Sequence, residues 1–268
     1  DHGFATFYNP AWAAFLTNRQ VGLSYSSMSL DRRLSGLSFA TPLPPTAGLG
    51  VSWVSAGVTD IQGRNSAGEK TTMMQTGEDA LMISFAQRIL PWFSFGANIK
   101  ILQNQLPINE SYKGSGIGFD IGFLFKSGNS TTFGLMIQDI NSMYNWDSGD
   151  LYAEGRIYSE YFPTIYRLGT KFLYKNILVV ADAGFITNYR VGKEISDDTF
   201  ISLLPRIGFE YTYLDLYYFR GGLGNGRIAF GWGLEYDLIR NHDSRIDYTF
   251  SMDWASQLSH TLSYGFNF

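Results

Sequence analysis

The sequence predicts an all-β protein: a 14-stranded antiparallel transmembrane β-barrel with a short N-terminal plug segment. Three observations carry that prediction. Apolar and polar residues alternate with a period of two from about residue 20 to the end of the chain. The segments so marked run to roughly 10 to 14 residues, near the ~9–11 that a tilted strand needs to cross a membrane and well above the ~5–6 of soluble strands. The connections between them alternate between short and long, as the periplasmic turns and external loops of outer-membrane barrels do.

The elements follow in order. Residues 1–18 show no alternation, and the apolar patch Ala11–Leu16 is the only helix candidate. Residues 19–268 read as the barrel, and 1–268 as one domain. Strands are expected near 19–28, 34–42, 46–58, 78–88, 92–104, 114–126, 131–140, 163–175, 177–188, 200–213, 216–224, 226–239, 245–254 and 259–268. In the sixth, Ile117, Phe119, Ile121, Phe123 and Phe125 alternate with Gly116, Gly118, Asp120, Gly122 and Leu124. The twelfth sets Ile228, Phe230, Trp232, Leu234, Tyr236 and Leu238 against Ala229, Gly231, Gly233, Glu235 and Asp237. The thirteenth sets Ile246, Tyr248, Phe250, Met252 and Trp254 against Arg245, Asp247, Thr249, Ser251 and Asp253. The last, "HTLSYGFNF", closes the wall with Leu262, Tyr264, Phe266 and Phe268 on its apolar face.

Tight links fall at "PLPP" (42–45), "LP" (90–91), "SGNS" (127–130), "KN" (175–176), "LD" (214–215) and "NHDS" (241–244). Longer ones lie between them at 59–77, 105–113, 141–162 and 189–199. An even strand count puts both termini on one side, the periplasmic side of a bacterial outer membrane if the short turns lie there. Rings cluster near the short turns, among them Trp92, Phe93, Phe125, Phe172, Tyr174, Tyr211, Tyr213, Tyr217, Phe266 and Phe268, as in the aromatic girdle of such barrels.

Composition agrees. Charged residues are 16% of the 268, against about 25% in soluble domains, and aromatic residues are also 16%. No run of 18 apolar residues suggests a membrane-spanning helix. The absence of cysteine excludes thiol chemistry, disulfides and thiolate metal sites. A net charge of −4 without a basic block gives nucleic acid nothing to bind. His2, His242 and His260 stand in no triad or metal-ligand spacing, so neither catalytic residues, metal nor cofactor are assigned. The start at Asp1 reads as that of a processed chain.

The charges fall on the other parity. Arg or Lys facing lipid near mid-membrane costs about 2–4 kcal/mol, so the charged face is the lumen. Arg167, Lys171, Arg206, Glu210, Arg220, Glu235, Asp237, Arg245 and Asp247 are the expected lumen charge network, with Lys100, Asp120, Asp139 and Asp182 also inward. Mixed signs imply pairing, and a filling lattice outweighs a ligand-lined passage for most of them. Pro205 breaks the ladder of its strand and is a candidate lateral opening.

Several stretches carry a resemblance. "FYNPAWAAF" (7–15), "GLGVSWVSAGVTDIQGR" (48–64), "SFGANIKIL" (94–102), "GSGIGFDIGFLFK" (114–126), "RIDYTFS" (245–251) and "LSHTLSYGFNF" (258–268) occur in an order that resembles the FadL superfamily of fourteen-stranded outer-membrane barrels. The PorV/PorQ-like branch is the more similar. The resemblance implies that residues 1–16 lie inside the barrel as a hatch, anchored by Tyr8, Asn9, Pro10 and Ala11. It implies that Tyr264, Phe266 and Phe268 form the signal read by the barrel-assembly machinery. A PorV-like role is non-enzymatic docking on an envelope protein-secretion or surface assembly, of type IX secretion kind. The partners implied are outer-membrane lipid and other envelope proteins. The alternative is a FadL-like transporter that passes a small hydrophobic ligand through the lumen. Short external loops favour docking.

Overall fold

The computed structural model describes residues 3–107, 112–150, 154–187, 202–239, 242–254 and 257–268. The chain opens with α1 (Ala5–Tyr8) and a 3-10 helix (Pro10–Phe15). Then come β1 (Gln20–Met28), β2 (Arg32–Leu43), β3 (Ala47–Arg64), β4 (Lys70–Leu90), β5 (Phe93–Gln105), β6 (Lys113–Ser127) and β7 (Thr131–Ile140). A small hairpin follows, β8 (Met143–Asp147) and β9 (Ile157–Tyr161). The rest are β10 (Thr164–Tyr174), β11 (Ile177–Thr187), β12 (Ser202–Tyr213), β13 (Tyr217–Gly224), β14 (Arg227–Ile239), β15 (His242–Asp253) and β16 (Gln257–Asn267).

Fourteen of these strands make a closed antiparallel wall. Each pairs with its neighbour in sequence, except that β7 pairs with β10 past the small hairpin. Closure is the β1–β16 seam, from Gln20 opposite Asn267 to Met28 opposite Ser259. All fourteen expected strands are present. The described turns at the termini end are tight: in the three-residue link between Tyr213 and Tyr217, Leu214 and Asp215 sit at φ 56° and 55°, and the Leu216 N–H donates to the Tyr213 carbonyl at 3.2 Å.

The alternation sorts side chains between lumen and lipid. Along β5, Ser94, Gly96, Asn98, Lys100 and Leu102 are buried, while Phe95, Ile99 and Ile101 are exposed. Outward Ile117, Leu168, Leu203, Ile207, Phe209 and Phe230 are each about half exposed, so a closed barrel presents an apolar belt to its surroundings. Such a belt is a membrane-spanning surface. Exposed rings of Trp92, Phe125, Phe172, Tyr174, Tyr211, Tyr213 and Tyr217 ring the termini end, as expected of a girdle.

Two expected loops are structured. Residues 59–77 are not a loop: β3 and β4 stay paired out to Arg64 and Lys70, although β2 stops opposite Val58 and β5 opposite Gly77. This two-stranded arm therefore projects beyond the far rim. Alternation fails there because the register shifts between Val58 and Ile61, where Asp60 takes φ 57°. Within 141–162, β8 and β9 form a hairpin that bonds to β6 at Ser115–Asn145. The expected loop at 189–199 lies outside the described residues.

Candidate functional site: the barrel lumen

The N-terminal segment lies inside the barrel on the β1–β7 side. Asn9 caps the 3-10 helix, its Oδ1 accepting from the Ala11 N–H at 3.0 Å, and Pro10 takes the first helical position, where no N–H is needed. The Asn9 amide also donates to two wall carbonyls, Phe123 on β6 and Leu135 on β7, each at 3.3 Å. Ser94 Oγ donates to the Ala11 carbonyl at 2.9 Å, and Ser38 Oγ to that of Gly3. Glycine is what permits the approach: a Cβ on Gly96 would stand 2.6 Å from the Ala11 nitrogen. Pro10 and Ala11 are buried on this seat. Tyr8 instead turns away from the wall, with 66% of its surface exposed, and among the described residues its hydroxyl has no hydrogen bond.

At the segment's far end, Trp12 and Phe15 meet three cations. Lys126 Nζ lies 3.7 Å from the Phe15 ring centre, Lys171 Nζ 5.4 Å from that of Trp12, and the Arg88 guanidinium carbon 5.9 Å from Phe15. Cation–π attraction of this kind ties the segment to β4, β6 and β10.

The expected lumen charges resolve into separate groups. Asp182 on β11 sits between Arg167 on β10 and Arg206 on β12, at 2.8 and 3.0 Å. Nearer the termini end, Arg220 reaches Glu210 and Asp247, both at 2.6 Å, while Arg245 reaches the same two at 3.2 and 3.0 Å. Glu235 lies opposite Arg245 and accepts from the Tyr218 hydroxyl at 2.6 Å, the Arg245 guanidinium lying 3.7 Å from the Tyr218 ring centre, and Asp237 faces Asp243 across the β14–β15 pair. Lys171 stands over Trp12 and also interacts electrostatically with Glu210 of the Arg220–Arg245 square. Sequence reasoning placed Lys100, Asp120 and Asp139 inward without joining them. Lys100 bridges both carboxylates, and Asp120 also accepts from the Asp139 N–H at 2.9 Å. Alternation from Gly134 through Met136 and Gln138 would put Asp139 on the lipid face. A bulge in β7, with Asp139 at φ 59°, turns it inward.

The small hairpin packs on the inner wall near the far end. Tyr144 and Trp146 are buried against Leu102, Ala80, Leu106, Tyr112 and Phe162. Gly114, Gly116 and Gly118 on β6 make the seat, and a Cβ on Gly114 would come 2.7 Å from the Trp146 ring. The Tyr144 hydroxyl donates to Glu78; burial first, and then that carboxylate, push its pKa well above the usual phenol range. Trp146 donates to Glu160 at 3.2 Å.

With the N-terminal segment on one side and the hairpin at one end, the space left faces β10–β16. A cavity of 670 Å³ runs between Phe4, Phe7 and Tyr8 on the segment and Glu210, Arg220, Arg245 and Asp247 on the wall. Smaller ones adjoin it: 270 Å³ beside Trp12, Arg167 and Lys171, 300 Å³ beside Asp182 and Arg206, and 300 Å³ over Gly208, Gly222, Ala229 and Gly231. Tyr8 lines three of these four.

The remaining predicted residues lie elsewhere. Pro205 pairs with Ala183 on β11 and stands one residue beyond the last β12–β13 pair, Arg206 with Gly224, so it sits at the far rim. Tyr264 donates to Ser244 at 3.3 Å, and Phe266 stacks on Phe268 at 5.5 Å, near the termini end of the seam.

No protein-family model matches the chain, and no curated protein matches it in sequence. Solved structures do match in shape. The toluene transporter TodX of P. putida superposes with a TM-score of 0.69 at 14% identity, over 97% of this chain and 92% of that one. The CymD monoaromatic hydrocarbon channel gives 0.67 at 14% identity, over 99% and 93%. A Pseudomonas aeruginosa FadL homologue gives 0.68 at 13% identity, over 98% and 93%. At such identities the likeness establishes the fold: this chain is a closed fourteen-stranded antiparallel barrel with the architecture of the FadL-type outer-membrane barrels.

Proposed function

We propose that this barrel sits in a bacterial outer membrane, with both termini on the periplasmic side, and conducts a small hydrophobic molecule through its lumen. The carrying observation is the chamber: the N-terminal segment is seated on the β1–β7 side, leaving a 670 Å³ cavity lined by apolar residues such as Phe4, Phe7 and Val180 together with polar groups such as Glu210 and Arg220. That volume is in the range of ligand sites, about 300–1,000 Å³. Solved barrels of the same architecture include proteins titled toluene transporter and monoaromatic hydrocarbon channel, which adds weight to passage over docking. The docking role in protein secretion, motivated by the PorV-like sequence pattern and short external loops, has no comparable support among the solved structures, and the far end carries the β3–β4 arm and the inner hairpin. The reading makes the N-terminal segment a hatch, Tyr264, Phe266 and Phe268 an assembly signal, and Pro205 a notch in the far rim open to the membrane. It assigns no enzymatic step to any residue.

Native mass spectrometry of the protein extracted gently from its own membrane tests this. A barrel that travels alone with a discrete hydrophobic mass supports conduction. A barrel that travels with stoichiometric protein partners and an empty lumen supports docking instead.

A further inference from the structure

The four charges beside the 670 Å³ cavity are bonded in an uneven way. Arg220 Nε and Arg245 Nη2 both donate to Oε2 of Glu210, at 2.6 and 3.2 Å. Arg220 Nη1 and Arg245 Nε both donate to Oδ1 of Asp247, at 2.6 and 3.0 Å. Two carboxylates and two guanidiniums balance, so the square offers no net charge to a ligand. Yet all four bonds converge on one oxygen of each acid. Among the described residues, Oε1 of Glu210 and Oδ2 of Asp247 accept no hydrogen bond. Tyr8 lines the same cavity as Glu210 and Asp247, and among the described residues its hydroxyl is also without a hydrogen bond, on a ring that is 66% exposed. Phe4, Phe7, Leu34 and Val54 supply an apolar lining, and in the adjoining cavity Gly208, Gly222 and Gly231, with the methyl of Ala229, leave a low floor.

Each feature selects. A bare hydrocarbon would fill the apolar side but dehydrate the free acceptors without replacing their bonds, a net loss. A carboxylate would bring a negative charge to two acids that are already matched. A hydroxyl can donate to a free carboxylate oxygen and accept from Tyr8, while its ring lies on the glycine floor or against the Phe4 and Phe7 rings.

We propose that the chamber takes a neutral ring compound bearing a hydroxyl group, held between Tyr8 and the Glu210–Asp247 edge, in preference to the corresponding hydrocarbon or carboxylate. This rests on the conduction reading and narrows its substrate class.

The test is ¹⁹F NMR titration of 4-fluorophenol, 4-fluorotoluene and 4-fluorobenzoate against the full chain in lipid nanodiscs, with empty nanodiscs subtracted. The phenol should bind about tenfold tighter than either of the others, the worth of one hydrogen bond to a charged acceptor. Tyr8→Phe should weaken the phenol severalfold and leave the toluene unchanged. Toluene binding as well as the phenol, benzoate binding tightest, or no response to Tyr8→Phe would each overturn the proposal while leaving conduction standing. Absence of protein-dependent binding for all three would overturn the proposal and take the conduction reading's chamber with it.

Discussion

Lys100 Nζ lies 2.6 Å from Asp120 Oδ1 across the β5–β6 pair, with only 9% and 3% of the two side chains exposed. Asp139 reaches the same ammonium through the β7 bulge. One buried cation therefore holds two carboxylates. Lys100→Met would leave the buried Asp120 facing the quarter-exposed Asp139 without their shared cation, and removing one partner of a buried ion pair costs about 3–5 kcal/mol. The variant should unfold at clearly lower urea in lipid vesicles, and an unchanged midpoint would show that Lys100 is not the clamp.

The seat of the N-terminal segment rests on glycine at Gly96. Gly96→Val would place a branched side chain where the Ala11 backbone runs. The wall should tolerate this, since β5 is already a strand, but the segment should be lifted off it. Planar-bilayer recordings should show larger or noisier conductance than the parent barrel.

Asn9→Ala removes the helix cap and both bonds to wall carbonyls. Loss of an N-cap costs about 1 kcal/mol, and the two 3.3 Å bonds add to it. Amide exchange should speed up in residues 5–15 while the strands keep their protection. Equal loss of protection across the wall would mean that Asn9 supports the barrel itself.

Ile207 faces outward from the middle of β12 and is 54% exposed. Ile207→Arg should cost about 2–4 kcal/mol when the barrel is folded into bilayers. In a detergent micelle, whose shape adapts to the charge, the penalty should be smaller. Equal stability of variant and parent in bilayers would contradict a lipid-facing belt.

Trp146 anchors the inner hairpin through Leu102, Tyr144 and Glu160. Trp146→Ala should free residues 143–161 to exchange and should raise conductance, with the unfolding midpoint of the wall nearly unchanged. A large drop in that midpoint would make the hairpin part of the barrel's own stability.

The wall was legible because period two is a direct print of sheet geometry, and residues such as Ile228, Phe230 and Trp232 leave no other reading. Lumen parity could be read because charge is costly against lipid, which is why Arg167, Arg206, Glu210 and Arg220 were expected on one face. What alternation cannot show is a break in itself. Asp60 and Asp139 sit where extra residues shift the register, so the β3–β4 arm read as a loop and the Lys100 cluster was not assembled. The hairpin was hidden for another reason. "MYNWD" and "IYSEY" are each 5 residues long, too short to stand out, and their signature lies elsewhere, in Gly114, Gly116 and Gly118. Read alone, those glycines suggest curvature; the structure shows them as vacancies that the hairpin fills. That Lys171 stands over Trp12 and Glu235 accepts from Tyr218 also could not be read, because parity gives a face and not a neighbour.

The β1–β16 seam has a consequence for how the chain is handled before it is a barrel. Its nine residue pairs run from Gln20 with Asn267 to Met28 with Ser259, joining the two ends of the sequence. A chain delivered from its amino end holds two raw sheet edges until β16 arrives, each a template for pairing with any other strand. Local hairpins can form early, but the ring exists only when its last member is in hand, so contacts of such long range make closure slow. Custody of the unfinished chain is therefore a requirement written into the topology, and the seam's inward hydroxyls, Ser24 with Ser263 at 3.0 Å and Ser26 with Thr261 at 2.7 Å, mark where that custody ends.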